Sequence, residues 1–476
     1  MDMAVKEKDR DKTKELEKKL KLQGKLAWDR MEEKERKEVF PFAEGYKRFL
    51  DRAKTEREAV REILEAARKA VFRELSRPGG GKKFFSVNKE KSIALALLGR
   101  SPLAEGLRII VSHIDSPRID LKQNPLYEDS DLAIFRTHYY GGIKKYQWVA
   151  IPLSLHGFIV KADGSALPVR IGEDPEDPVF VINDLLPHLS GKVQDQKKLA
   201  EAIEGEKLTA LAGSLPYPDG EAKERVKLRI LDLLHEKYGL VEEDFTSSEL
   251  ELVPAMKARD AGFDRSLIGA YGQDDRASAY TSLQAVLALK NPSRPVLSLF
   301  VDKEEIGSEG NTGAQSLFID EVVRGMIERS GETPSEARVK KILAHSKAIS
   351  ADVESAFDPN YPEVHEKQNA GRIGYGVCLE KFTGHRGKAG ASDARAEYVG
   401  EIRRIFNTRR VAWQMTEIGK VDEGGGGTVA KYLAVYGMDI IDCGVPVLSM
   451  HSPYEIASKV DIYEAFKAYR AFLESS

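Results

Sequence analysis

Cysteine is almost missing from this sequence, since Cys378 and Cys443 are the only two among 476 residues. Two cysteines cannot form a disulfide framework or a cluster of zinc thiolates, so we expect a reducing compartment and metal sites built from histidine and carboxylate. Long apolar runs are missing too, because no stretch approaches the roughly 20 residues that span a bilayer. The start, MDMAVKEKDRDK, lacks the apolar centre of a signal peptide. We predict a cytoplasmic protein without a membrane partner.

The sequence also lacks a surplus of charge of either sign. Its 73 Lys and Arg residues nearly balance 76 Asp and Glu residues, which leaves a net charge of -3. A protein that neutralises many phosphates needs a basic surplus, so we predict no nucleic-acid partner. A small molecule or a peptide is the expected partner.

The chain is long enough for two to three domains. Residues 6–38 alternate in charge and predict a solvated helical arm. Between residues 117 and 261 the sequence turns to β-like segments interrupted by Pro and Gly, such as IPLSLHGFIVKADG. We therefore predict a catalytic domain formed by residues 1–116 and 262–476, with a second domain, residues 117–261, inserted into it.

Several short apolar runs end in residues that can bind metal or move protons. The runs LRIIVSH, VLSLFVDKEE, AISAD and VPVLSMH end at His113, at Glu304 and Glu305, at Asp352 and at His451, respectively. Runs of this kind, separated by helical patterns, indicate buried parallel strands with crossover helices, and therefore an α/β fold. Because ligands bind at the carboxyl ends of such strands, we expect these side chains to converge on one site.

The types of residue in these motifs suit a pair of divalent metal ions. His113 and Asp115 lie on one side of an extended segment, so Asp115 can orient the imidazole. Of Asp274 and Asp275, at a predicted helix start, one can bridge two cations while the other caps the helix. Glu304 and Glu305 can point to a metal and to a water molecule. Each motif alone also suits an ordinary turn or cap, and only their combination predicts a site.

Four consecutive glycines, Gly424–Gly427, could suggest a phosphate loop. The Lys-Ser/Thr ending and the preceding strand of such a loop are missing, which argues against nucleotide binding. We expect these glycines to allow close approach of the backbone to a peptide substrate.

The motifs SHIDSP, DDRAS, DKEEIGSEGNTGAQS, ISADVESAFDPNYPEVHE and LSMHSPYE occur in this order along the chain. In these motifs and their order the sequence resembles the M18 aminopeptidases, which include aspartyl aminopeptidase and the vacuolar aminopeptidase I type, and the resemblance covers most of the chain. The resemblance implies a zinc-peptidase-like catalytic domain with a mixed, largely parallel sheet flanked by helices. It also implies that the inserted domain is a β-rich lid and dimerisation domain.

The resemblance further implies a metalloaminopeptidase with two metal ions per subunit and Glu304 as the general base that activates a metal-bridging water. One ion would be held by His113, Asp274 and Asp352, and the other by Asp274, Glu305 and His451. Asp274 would be the bridge, with Asp275 as the alternative. Zinc is the expected metal from the ligand types, although manganese and cobalt also suit carboxylate-rich sites.

The family members form tetrahedral dodecamers built from dimers, in which the lid of one subunit lends a histidine to the site of its neighbour. The resemblance places His188 in that role and Lys381 where the family has a substrate-contacting lysine, with Arg386 and Lys388 as further candidates by proximity. Two other functions stay open at this point. One is a two-metal amidohydrolase or deacylase of N-acyl amino acids, and the other is an assembled scaffold without catalysis.

Overall fold

The computed structural model describes residues 12–22 and 24–476. In the predicted arm, residues 12–20 are helical and exposed, as the alternating charges indicated. The prediction of one solvated helix through residue 38 is wrong, because the chain leaves the helix at residue 21 and docks on the body of the protein. Ala27 and Met31 are buried against Val460 and Tyr463. Residues 6–11 and 23 of the predicted arm lie outside the described part of the chain.

Two helices begin at residues whose side-chain oxygen accepts a backbone N–H three residues later, namely Thr55 and Ser335. The helices are α1 (Ala27–Arg30), α2 (Glu33–Arg52), α3 (Glu56–Lys69), α4 (Pro187–Ser190), α5 (Leu199–Ala202), α6 (Arg225–Tyr238), α7 (Gln273–Leu287), α8 (Phe318–Arg329), α9 (Glu336–Ala344), α10 (Ala396–Thr408), α11 (Ala430–Ala434) and α12 (Lys459–Leu473). Within the described residues, no helix combines the length and the apolar character needed to cross a membrane.

The strands form three sheets. They are β1 (Arg73–Glu74), β2 (Lys83–Asn88), β3 (Ser92–Leu97), β4 (Arg108–His113), β5 (Arg118–Asp129), β6 (Leu132–Tyr140), β7 (Leu153–Val160), β8 (Ala166–Ile171), β9 (Val181–Ile182), β10 (Ala210–Gly213), β11 (Ser248–Pro254), β12 (Arg259–Ala261), β13 (Leu267–Ala270), β14 (Val296–Val301), β15 (Lys347–Ser350), β16 (Glu354–Ser355), β17 (Val377–Glu380), β18 (Trp413–Met415), β19 (Asp439–Gly444), β20 (Pro446–Leu448) and β21 (Glu455–Ser458).

The largest sheet has nine strands in the order β1-β2-β3-β14-β4-β15-β19-β17-β18. Its centre, from β14 through β4 and β15 to β19, is parallel, whereas β3 and β17 run antiparallel to their central neighbours. Alternate residues of β4 enter different cores: Ile110 packs with α7 and α12, and Ile109 and Val111 pack with α8 and α9. Burial on both faces explains the continuous apolar runs, and the predicted α/β class with a mixed, largely parallel sheet is confirmed.

One strand prediction is wrong. The run before His451 does not form a strand of the large sheet; it ends in β20, a short strand of a five-stranded sheet with the order β12-β13-β21-β20-β16. The place in the large sheet is taken by β19, seven residues earlier in the chain. Only Val445 separates β19 from β20, and the chain changes sheets there and brings His451 to the site from the side.

A seven-stranded sheet with the order β8-β7-β11-β5-β6-β10-β9 is built wholly from residues 118–254. Most of its neighbouring strands pair antiparallel, and its core includes Trp148, Leu155 and Phe245. β12, although it precedes residue 262, pairs with β13 in the five-stranded sheet. The boundaries of the inserted domain at residues 117 and 261 stay a prediction.

A buried ionic cluster joins this seven-stranded sheet to helix α3. His156 of β7 donates from Nδ1 to Glu58 at 2.9 Å and from Nε2 to Glu173 at 3.1 Å, and all three side chains are buried. Burial alone would lower the pKa of His156, but the hydrogen bonds to Glu173 and Glu58 outweigh it and raise that pKa above its usual value. The other cations at these carboxylates are Lys54, Lys257 and Arg170.

The raised pKa of His156 predicts a pH-dependent stability. The imidazolium stabilises the fold fully below the unfolded-state pKa of about 6.5, and this contribution is lost as the pH rises through the higher folded-state pKa. We expect His156→Gln to lower the free energy of unfolding by about 2 kcal/mol at pH 6. The deficit should shrink towards pH 9, as measured by urea denaturation at fixed metal concentration.

His138→Gln is the matched control, because His138 is an exposed histidine of the same sheet. This variant should follow the wild type at each pH. A deficit of His156→Gln that is constant from pH 6 to pH 9 would contradict the prediction.

Candidate metal centre

The predicted ligands meet at the carboxyl edge of the parallel strands. His113 is the last residue of β4, and Asp352 lies two residues after β15. Glu304 and Glu305 begin a 3-10 turn that follows β14, and this turn is entered through Lys303 in a left-handed conformation. The remaining ligand candidates are Asp274 and Asp275, at the start of α7, and His451, after β20.

Asp274 lies between the two histidines. Its Oδ1 is 3.1 Å from Nε2 of His113, and its Oδ2 is 3.1 Å from Nε2 of His451. The side chain of Asp274 is 5% exposed, so both carboxylate oxygens face inward. One carboxylate that presents each oxygen to a different imidazole has the arrangement required of a bridge between two cations.

The other candidate ligands lie beside Asp274 and the two histidines. Oδ1 of Asp352 lies 3.6 Å from Nε2 of His113, and Oε2 of Glu305 lies 3.4 Å from Nε2 of His451. Asp275 also belongs to a group that could hold an ion, with His113 and Asp352. The peptide bond between Asp274 and Asp275 is cis. The contacts of Asp274 with both histidines favour it as the bridge over Asp275, whose role stays a prediction.

The site has more buried negative charge than the protein balances. Within residues 12–22 and 24–476, no Lys or Arg side chain forms an ion pair with the five carboxylates of the site. Only the two histidines do so. Oε1 of Glu305 and Oδ2 of Asp275 are buried without a hydrogen-bond partner. The five carboxylates are Asp274, Asp275, Glu304, Glu305 and Asp352. Buried charges of this kind are stable only when they are paired or bind metal, so the residues present fit divalent cations.

Electrostatics point the same way. Burial, followed by the neighbouring carboxylates, raises the pKa of Glu304 to about 8 and that of Glu305 well above its usual range. Burial lowers the pKa of His451, but Glu305 and Asp274 outweigh it and raise that pKa to about 11. The raised pKa values of both the glutamates and the histidine indicate that the site lacks positive charge. Bound cations would supply it.

Asp115 contacts both His113 and the turn that carries the two glutamates. Its Oδ1 is 3.3 Å from Nδ1 of His113, which leaves Nε2 of that ring free to bind metal. The backbone N–H groups of Glu304 and Glu305 donate to the same carboxylate at 3.1 and 3.2 Å. Asp115 therefore positions one histidine and the turn that carries two glutamates.

The sequence reasoning missed Tyr140. This residue ends β6 of the seven-stranded sheet and donates its hydroxyl to Oδ2 of Asp115 at 2.8 Å. The guanidinium of Arg118 lies 3.9 Å from the centre of its ring. Nothing in the surrounding sequence RTHYYGG signalled this role, since only the fold brings the end of β6 to the end of β4.

The sequence did not predict a role for Glu455, although this residue ends the motif LSMHSPYE. Its Oε2 accepts the backbone N–H groups of Gln273 and Asp274, and its Oε1 accepts that of His451 at 2.8 Å. One buried carboxylate thus aligns the segments that carry Asp274 and His451. The spacing of four residues from His451 was a signal that the motif contained.

A cavity of about 620 Å³ opens onto these residues. Gly425, Gly426 and Gly427 line it, as do Glu304, Glu305, Asp352 and His451. A Cβ on Gly425, which has φ +135°, would lie 2.3 Å from the carbonyl oxygen of Gly384. The glycines therefore allow close packing of the protein's own backbone beside the site, and their contact with a substrate stays a prediction.

Two predicted substrate-binding residues lie outside the lining of this cavity. Nζ of Lys381 pairs with Asp393, and Lys388 contacts the same carboxylate. The preceding residue, Glu380, lines the cavity instead. His188 is exposed on α4 and does not line it either. The roles of His188, Lys381 and Arg386 in binding substrate stay predictions.

The parallel strands of a mixed α/β sheet bring His113 and several buried carboxylates to an open cavity, where Asp274 of α7 and His451 join them. This arrangement is typical of a metal-dependent hydrolase. The model of the family described as aminopeptidase I zinc metalloprotease (M18) matches residues 49–473. The chain belongs to the M18 family and is a metalloaminopeptidase. This agrees with the resemblance and argues against the deacylase and the scaffold.

Individual proteins agree with this assignment. The "probable M18 family aminopeptidase 1" of Clostridium acetobutylicum is 50% identical over 458 residues, which are 95% of this chain and 98% of that protein. The crystal structure of an M18 aminopeptidase from Thermotoga maritima has a TM-score of 0.92 at 46% identity and covers 96% of this chain and 100% of that one. A structure titled as the mApe1 dodecamer of yeast has a TM-score of 0.71 at 20% identity, covers 90% of this chain and 95% of that one, and shows the shared fold.

The position of Tyr140 predicts an effect on metal binding. Tyr140→Phe keeps the ring but removes the hydrogen bond to Asp115, so His113 and the Glu304 turn are held less firmly. Loss of such a supporting hydrogen bond lowers metal affinity or activity by about tenfold to a hundredfold. Metal affinity, measured by titration into chelated protein, and kcat should both fall.

Tyr139→Phe is the control, because Tyr139 is the exposed neighbour on the same strand. We expect it to bind metal with the affinity of the wild type. If Tyr140→Phe also matches the wild type in metal affinity and kcat, the positioning role is refuted.

Proposed function

We propose that this aminopeptidase removes the N-terminal residue from peptides with two divalent metal ions per subunit. The observation that carries the proposal is the position of Asp274, whose two carboxylate oxygens each lie 3.1 Å from a different histidine. His113, Asp274 and Asp352 would hold one ion, and Asp274, Glu305 and His451 the other. The donor set of imidazole and carboxylate suits zinc, and also manganese or cobalt.

Such an ion pair, when bound, polarises the scissile carbonyl and makes water a better nucleophile at neutral pH. The protein must then move a proton from the attacking water to the leaving amine. Glu304 is suited to this task, because its side chain lines the cavity and its backbone N–H is fixed by Asp115. Its carboxylate accepts the proton from the water and donates it to the amine nitrogen as the peptide bond breaks.

The division of labour between the adjacent glutamates follows from their surroundings. Oε2 of Glu305 lies beside His451 and its side chain is 4% exposed, so it is committed to the ligand cluster. Among the described residues, the Glu304 side chain has no ion-pair partner within 4.0 Å, so it is free to exchange a proton with water. We therefore assign the proton to Glu304 and the metal to Glu305.

Glu304→Gln separates these two roles. Because glutamine cannot accept the proton, turnover of an aminoacyl anilide should fall by about a hundredfold to ten-thousandfold. Metal content should stay at the wild-type value, because the ligands are intact. Both quantities can be measured on the same purified sample, by steady-state kinetics and by elemental analysis.

Glu309→Gln serves as the control, since Glu309 is an exposed glutamate five residues along the same loop. It should retain both activity and metal. Turnover of Glu304→Gln close to that of the wild type would exclude Glu304 as the general base.

We further propose a homo-oligomer, in the form of a tetrahedral dodecamer built from dimers, in which residues 117–261 act as the lid and dimerisation domain. The related yeast protein mApe1 is described as a dodecamer, which supports this proposal. His188 is exposed and lies outside the cavity lining of its own chain, as expected of a residue that serves a neighbouring subunit. The free thiols Cys378 and Cys443 are both buried, which supports the predicted reducing, cytoplasmic compartment.

Mixed assemblies test the shared site. His188→Ala and Glu304→Gln subunits should each be nearly inactive as pure assemblies. When they are co-expressed, a site with an intact Glu304 can receive His188 from its neighbour, so activity should return. Activity that stays at the level of the two pure variants would show that His188 does not act across subunits.

A further inference from the structure

Glu380 is a buried carboxylate that the proposed reaction leaves unused. It is the last residue of β17 and lines the cavity together with the metal-ligand candidates. The residue is 5% exposed; its side chain shares a hydrogen bond with the carboxyl group of Glu354, but its Oε1 has no hydrogen-bond partner. Burying a carboxylate oxygen without a partner is costly, so its persistence beside an open cavity points to a ligand that completes it.

The surroundings of Glu380 add negative charge. Asp442 lies directly opposite on β19, and Glu354 follows the ligand Asp352 by two residues. Within residues 12–22 and 24–476, no Lys or Arg forms an ion pair with any of these three carboxylates, because the adjacent Lys381 is turned away to Asp393. The missing partner is therefore a positive charge that can enter from the cavity.

The sheet separates Glu380 from the reacting centre. Between β15, which leads to Asp352, and β17 lies one strand, β19, so the two strand ends are two spacings apart, or roughly 10 Å. The α-ammonium group of a peptide lies next to the scissile bond and must stay near the ligand cluster. A cation on a long side chain of the N-terminal residue can extend to Glu380.

On this basis we propose that Glu380 binds the positive side chain of the substrate's N-terminal residue, so the preferred substrates are peptides that begin with Lys or Arg. The inference rests on the proposed function and adds the substrate class. An arginine or lysine donor would give Glu380 a charge-assisted hydrogen bond in a site that largely excludes water.

Lys431 is the one Lys or Arg side chain in the described lining of the cavity, and it would favour an acidic substrate instead. Its Nζ packs 4.7 Å from the ring centre of Tyr432, whose hydroxyl donates to the carbonyl of Gly307. Lys431 is only partly buried and its charge is shared between the ring and solvent. Pairing with a cation therefore gains more at Glu380, where no Lys or Arg of the described residues pairs with the buried carboxyl, than at Lys431.

The wild-type enzyme tests the substrate class without any substitution. We expect kcat/KM to rank Lys-anilide above Leu-anilide and Leu-anilide above Glu-anilide. A preference for Glu-anilide would overturn the proposal and assign the choice to Lys431. If Leu-anilide is cleaved and Lys-anilide is no better, the substrate class is wrong while the aminopeptidase function stands; cleavage of none would instead refute the function.

Glu380→Gln tests the residue. The neutral amide should lower kcat/KM for Lys-anilide by about tenfold to a hundredfold, mainly through KM, because a charge-assisted hydrogen bond is lost. Leu-anilide should change by less than about threefold. Glu363→Gln, at an exposed glutamate, is the control and should leave both values unchanged.

Melting temperature and metal content of Glu380→Gln establish that the variant is folded and loaded. An equal loss on Lys- and Leu-anilide in a folded, metal-loaded variant would overturn the proposal, because it would place Glu380 at the α-ammonium group or the metal ligands. If the variant does not fold, Glu380→Asp keeps the charge on a shorter side chain, and the expected result is a selective loss on Lys-anilide.

Discussion

The site depends on one carboxylate, that of Asp274, which contacts both histidines from the start of a buried helix. Each oxygen of this group has its own imidazole, so the distance between the two halves of the site is set by a single side chain. The helix α7 that carries it is buried along nearly its whole length, which prevents the carboxylate from moving towards solvent. Because Asp274 is held this firmly, the side chains that flank it can come from independent strands.

Two further carboxylates, Asp115 and Glu455, act on the backbone rather than on the ligands alone. Asp115 accepts the N–H groups of the glutamate turn, and Glu455 accepts those of Asp274 and His451. Each of them therefore fixes two segments that are far apart in sequence. In a site with so much negative charge, this backbone support resists the repulsion that would otherwise separate the ligands.

Two of the contacts between the seven-stranded sheet and the catalytic part involve buried side chains. Tyr140 reaches the metal centre through Asp115, and His156 joins Glu58 of helix α3 to Glu173. A displacement of this sheet would disturb both a buried ionic cluster and the support of His113. The inserted segment is thus part of the active centre as well as a candidate surface for assembly.

The sequence determined much of this protein by itself. Continuous apolar runs predicted buried parallel strands, and the polar residues at their ends, His113, Glu305 and Asp352, were predicted to meet, because parallel strands end at one edge of a sheet. His451 was predicted from its motif. The strand before it was assigned to the wrong sheet, because the chain leaves the large sheet between β19 and β20. The charged arm was likewise predicted as one helix. The chain instead leaves that helix, and Ala27 and Met31 are buried against the body of the protein.

Only the tertiary structure decided which distant residues support the ligands. Tyr140 and Glu455 act through contacts across 25 and 181 residues of sequence, and no local pattern encodes such pairs. The same reason explains why Lys381 and Glu380, although neighbours in sequence, have different surroundings. At the end of the strand Lys381 pairs with Asp393, whereas Glu380 lines the cavity. Local sequence determines which chemistry is available at a strand end, and the packing of the fold determines which side chain faces the site.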